Sequence, residues 1–143
     1  NKTLRNYETA LDKSIQVLSR DNDIKTVDAQ AMELFKLGRL LTRYVSTTQT
    51  ECNEYLSRLL SVDEALLELS PEVIEAGYHR DGRLPKSPSP KCYHAKDLMV
   101  HPATVFVLNK VTPRPKSELM LREVVELKGH LDEIKNLVEG QNH

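Results

Sequence analysis

The sequence predicts a mainly α-helical chain: an elongated helical hairpin or three-helix bundle with coiled-coil character. Three observations carry that expectation. Apolar residues recur at three- and four-residue steps over most of the chain. Hydrophobic residues make up 39% of the 143 positions, charged residues 29% and aromatics only 5%, with no Trp. That balance suits helices with one apolar stripe and a broad wet surface. Six of the seven prolines fall between Tyr78 and Lys116, which separates helical stretches on either side.

Residues 2–20 read as a first helix, because Leu4, Tyr7, Leu11, Ile15 and Leu18 share one face; Thr3 or Asn1 offers a cap. Asp21-Asn22-Asp23 reads as a break, since these side chains compete for backbone hydrogen bonds. A long second helix is expected from near Thr26, with Asp28 in its first turn and a seam of Val27, Leu34, Leu37, Leu41 and Tyr44. The seam turns polar at Ser46 to Thr50 and resumes at Cys52, Tyr55, Leu56, Leu59 and Leu60. Such a helix exceeds about 30 residues and about 45 Å. Gly38 inside it costs about 1 kcal/mol relative to Ala, which a close helix contact or a mild hinge explains. Ser61-Val62-Asp63-Glu64 matches a capping box, and Ser70-Pro71-Glu72 marks a sharper helix start that Gly77 stops.

One domain is expected, in three stretches. Residues 1–77 form the hairpin, 78–116 a Pro-rich connection, and 117–140 the last helix. Within the connection, residues 81–91 read as a loop. Residues 103–108 read as extended, because Thr104, Val105, Phe106 and Val107 form a β-branched and aromatic run. The last helix is capped by Ser117, ends at Gly140, and carries Met120, Val124, Leu127, Leu131, Ile134 and Val138 at alternating four- and three-residue steps.

The functional expectation follows from the seams. The first helix is too short to cover the second, so another polypeptide is expected to complete the packing through Met120, Val124, Leu127, Leu131, Ile134 and Val138, with Tyr55 and Leu59 at the far end of the long helix. The chain then reads as a non-enzymatic interaction or scaffold module. It would be a subunit or docking domain of a eukaryotic multiprotein complex, nuclear or chromosome-associated, with a homodimer or a hetero-complex as its form. An adaptor or membrane-traffic tether of the cytoplasm is the alternative. Ser87, Ser89 and Thr112 each precede proline near basic residues, which marks them as candidate phosphosites. Net charge is −1, so nothing in the balance calls for nucleic acid. His79, Arg80, Arg83, Lys86 and Lys91 form a local basic cluster that reads as a solvated loop, with nucleic-acid binding as a further alternative. The chain opens at Asn1 without Met, which reads as a segment of a longer protein.

No catalytic, cofactor or metal site is expected. Cys92, His94, Asp97 and His101 lie close in sequence, but tetrahedral zinc wants two tight ligand pairs and only one is present. They read as polar loop residues. Cys52 as nucleophile with His79 or His130 as base lacks any supporting motif, so Cys52 reads as core and His130 as a rim residue. Two distant cysteines read as free thiols of a reducing compartment, nuclear or cytoplasmic. No apolar run reaches spanning length.

Overall fold

The computed structural model describes residues 1–20, 23–115 and 117–140. Among these every regular element is helical, with no strand. Four long helices form the body: α1 Lys2–Leu18, α2 Ile24–Thr48, α5 Pro90–Leu108 and α6 Ser117–Gly140. Between α2 and α5 lie two short α-helices, α3 Asn53–Leu60 and α4 Pro71–Ile74. Two 3-10 turns, Thr50–Cys52 and Asp63–Glu68, and a π-turn, Glu75–His79, accompany them. The long helices pack in a ring, α1 on α2, α2 on α5, α5 on α6 and α6 on α1. Among the described residues no helix is long and apolar enough to cross a membrane.

Local chemistry sets the boundaries. Asn1 caps α1 by accepting from the Leu4 N–H at 3.2 Å, and Asp23 caps α2 by accepting from the Thr26 N–H at 2.7 Å. Asp21 and Asn22, the first part of the expected break, lie outside the described residues. Helix α2 stops at Thr48, so the expected single helix beyond 30 residues does not form. Its polar end explains why: Thr47 and Thr48 both turn their hydroxyls back to the Tyr44 carbonyl, and Gln49 leaves helical geometry at φ −113°, ψ 90°. The capping box at Ser61 is not used either. Its hydroxyl donates back to the Arg58 carbonyl, and a 3-10 turn follows. Ser70 does cap α4, with Pro71 at its first position. Gly77 is no left-handed stop. It lies inside the π-turn, where an added Cβ would meet Arg83 Cδ at 3.0 Å.

The largest correction concerns the Pro-rich stretch. Residues 103–108, expected to be extended, are the last turns of α5, a helix of 19 residues buried in the middle of the molecule. Both periods fail to show because almost the whole circumference of α5 is covered, so apolar residues fall on every side. Pro90 occupies its first turn, where a missing N–H costs nothing, and Pro102 lies inside it. With α5 added, the body is a ring of four helices rather than a three-helix arrangement. Helix α2 crosses α5 at Gly38, where an added Cβ would sit 2.0 Å from the Leu98 carbonyl oxygen. That is the close helix contact, and the Thr42 hydroxyl one turn on bonds both the Gly38 and Ala95 carbonyls.

The two cysteines are not free thiols. Cys52, closing the 3-10 turn before α3, is joined to Cys92 in the first turn of α5, and both are fully buried. Beside them Lys91 pairs with Glu51.

The apolar seams are spent inside this chain. Met120, Val124, Leu127, Leu131, Ile134 and Val138 of α6 are buried in one core with Leu4, Tyr7, Leu11 and Leu34. Tyr55 is buried in the same core, and Leu59 in a second core with Phe35, Leu66 and Ile74. The surplus apolar surface inferred from the sequence is supplied with its cover by α5.

Candidate functional site

Helices α5 and α6 face each other through polar side chains at one level of the bundle. On α5, His94, Asp97 and His101 are spaced three and four residues apart, which puts them on one face. On α6, Glu123, Glu126 and His130 repeat that spacing. The two triplets meet in opposite chain directions. His94 Nδ1 lies 2.8 Å from His130 Nδ1, His130 Nε2 lies 3.3 Å from Asp97 Oδ2, and His101 Nδ1 meets Glu123 Oε2 in a short hydrogen bond. His79, from the π-turn, packs edge-on against His101 with ring centres 5.1 Å apart. Four of the chain's five histidines thus converge, in a row running His79, His101, His130, His94 with successive ring centres 5.1, 5.2 and 5.1 Å apart.

Each inner donor is gripped on its far side. Glu123 holds His101 at Nδ1, which leaves Nε2 turned inward. His94 holds His130 at Nδ1. Glu75, one turn before His79, holds that ring at Nδ1 from 3.1 Å. Lys96 stands 3.2 Å from Asp97 Oδ1, an ion pair outside hydrogen-bond geometry. The Lys96 ammonium is fully buried and donates to the Tyr78 and His79 carbonyls at 2.9 and 2.6 Å, fastening the π-turn to α5. It also lies 3.2 Å from Asp81, which receives the Tyr55 hydroxyl at 2.7 Å and is the one described non-glycine residue with positive φ, at 63°.

What remains is a set of buried atoms that make ion-pair contacts but no hydrogen bond. Both carboxylate oxygens of Asp97 and the Nε2 of His101 lack a hydrogen-bond partner. Buried polar groups almost always find partners, because leaving one unmet costs about 1–3 kcal/mol. Asp97 Oδ2 lies 3.3 Å from His130 Nε2 and 3.8 Å from His101 Nε2, and Glu126 Oε2 lies 3.8 Å from His101 Nε2. The donor atoms of His79, Asp97 and His101 all fall within 4.8 Å of one another, as do those of His101, Glu123 and Glu126. The two groups share only His101. Donors sharing one tetrahedral ion at bonds of about 2.0–2.2 Å stand about 3.3 Å apart, which the Asp97–His130 pair meets and the 3.8 Å pairs exceed.

Burial and neighbouring charge set the protonation of the centre. Burial raises the Asp97 carboxyl above its usual range, against the pull of Lys96, His101 and His79. Burial depresses His130, helped by positive charge at His101 and His94, to about 3, so its imidazole is neutral near pH 7. Burial also pulls His101 down, but the Glu123 hydrogen bond and the charges of Asp97, Glu123 and Glu126 outweigh it and leave it raised. Carboxylates thus surround His101, a field that favours positive charge there, carried by its own proton or by a bound ion.

The structure places the residues singled out from sequence as follows. Cys92, His94, Asp97 and His101 sit on a buried helix, not in a loop. Cys92 is taken by the disulfide and the other three join the centre. His130 is an inner member, not a rim residue, and Cys52 is core, paired with Cys92. Ser87 and Ser89 are half-buried. The Ser87 hydroxyl donates to the Ser89 carbonyl, Ser89 Oγ touches Cys92 Sγ at 3.3 Å, and Thr112 is exposed. Of the basic cluster, His79 and Arg80 meet Glu75 and Lys91 meets Glu51, while Arg83 and Lys86 are exposed. Glu123 and Glu126 had no standing in the sequence, although their spacing from His130 repeats that of His94 and Asp97 from His101.

Comparison with models of protein families, with curated proteins and with solved structures found no match to this chain.

Proposed function

We propose that this chain is a metal-binding helical domain, with one divalent transition-metal ion held between α5 and α6 by Asp97, His101 and His130 and by His79 or Glu126. The observation that carries the reading is the set of buried donor atoms on Asp97 and His101 that make no hydrogen bond, on side chains held from the far side by Lys96 and Glu123. A carboxylate holding the far nitrogen of a histidine is the usual support for a metal ligand, since it fixes the ring and its tautomer. Imidazole and carboxylate donors without thiolate suit zinc, iron, cobalt or nickel. They do not suit calcium or magnesium, which prefer oxygen alone.

Chelator-washed protein gains thermal stability when zinc is added. At a hundredfold excess over the dissociation constant the gain is about 2.7 kcal/mol. His101→Ala and His130→Ala melt at the same temperature with and without zinc. A wild-type midpoint that ignores zinc, cobalt and nickel alike contradicts the reading.

The buried disulfide supports an oxidising compartment over the nucleus or cytoplasm. An interaction module remains a second reading. Leu40 and Tyr44, one turn apart on α2 and 48% and 36% exposed, favour it, whereas the α6 seam does not. In that reading Thr112 is the phosphosite a kinase reaches without opening the fold.

A further inference from the structure

The donors of this centre are not equally held. Asp97, His101 and His130 each have a second group on the far side: Lys96, Glu123 and His94. Among the described residues nothing performs that service for Glu126. Its carboxylate meets only His101 Nε2, at 3.8 Å, and its side chain is 51% exposed while those of Asp97 and His101 are 0% and 1%. An unheld glutamate keeps its rotamer freedom, and solvent competes for its oxygens. The centre therefore has a fixed inner wall and one loose, wet member on its outer side.

We infer that Glu126 is an exchangeable ligand, and that the position it leaves accepts water or a small monoanion such as azide, formate or acetate. The centre then belongs to the open class, with protein donors on three sides and a replaceable one on the fourth, rather than to closed structural sites whose donors are all fixed. No bond to carbon forms or breaks in this exchange: one anionic oxygen donor leaves and another small donor enters. The inference rests on the metal-binding reading above, and it assigns the solvent-facing position within that centre.

The test uses the intact, disulfide-bonded chain loaded with cobalt(II), whose visible bands report the ligand set. Sodium azide titrated into the wild type shifts these bands with a saturable curve. Glu126→Gln removes the competing carboxylate at a half-exposed position that tolerates the change, and azide then half-saturates at a concentration about tenfold lower. Bands unmoved by azide in both proteins overturn the inference and leave a closed centre. Equal half-saturation in both shows that some other position exchanges, and overturns the role of Glu126. Absence of cobalt bands in the wild type is a different failure, that of the metal-binding reading itself.

Discussion

Replacing Cys52 and Cys92 together by alanine lowers the stability of the fold by about 4 kcal/mol. The two residues are separated by 40 positions, and closing a loop of that length in the unfolded chain removes about that much conformational freedom. Both side chains are fully buried, so the alanines leave unfilled volume as well. For a domain of this size the midpoint falls by about 10–20 °C, read by circular dichroism at 222 nm. The consequence reaches the site. The bond fastens the first turn of α5 to the start of α3, and His94 and Asp97 lie within the next turns of α5. Zinc affinity therefore falls with the loss of the bond. A midpoint within about 3 °C of the wild type contradicts the structural role given to the pair.

Gly38→Ala is the second large effect, and its sign opposes helix propensity. Alanine in a helix interior gains up to about 1 kcal/mol over glycine. At Gly38 the new methyl would sit 2.0 Å from the Leu98 carbonyl oxygen, which is backbone and has no rotamer to turn away. That carbonyl also receives the Tyr7 hydroxyl at 2.9 Å, so α1, α2 and α5 are fixed together at this crossing. Separating them costs overpacking energy of about 1–3 kcal/mol beyond the propensity gain. Gly129 on α6 is the control: an added Cβ there meets nothing within 4 Å, and Gly129→Ala stabilises by about 0.5–1 kcal/mol. Urea midpoints for the two variants move in opposite directions. Midpoints that rise together refute the close approach of α2 and α5.

The surface helices of this fold were readable because each has one wet face. The seam of α6 and the stripe of α1 follow from spacing alone; the α6 set is buried throughout, and in α1 Leu4, Tyr7, Leu11 and Leu18 are buried with Ile15 half-buried. Helix α5 was not readable, because a helix covered nearly all round shows no period and its Thr104–Val107 run imitates a strand. That one miss hid the rest. Without α5 the seams lack cover, and the sequence alone points to an outside partner. Without a helix at 94–101, His94, Asp97 and His101 were loop residues rather than one face. The signal was present in the matched spacing 94, 97, 101 and 123, 126, 130, but it carries meaning only once both segments are helices that meet. The pairing of two cysteines 40 positions apart leaves no local mark at all.

Calorimetric titration of zinc into chelator-stripped, disulfide-intact protein tests the central claim most directly. The account predicts one ion per chain with a dissociation constant below about 1 μM, and no binding heat above dilution for Asp97→Ala or His101→Ala, provided both keep their helical signal. A wild-type titration without heat, or one that either substitution leaves unchanged, contradicts it.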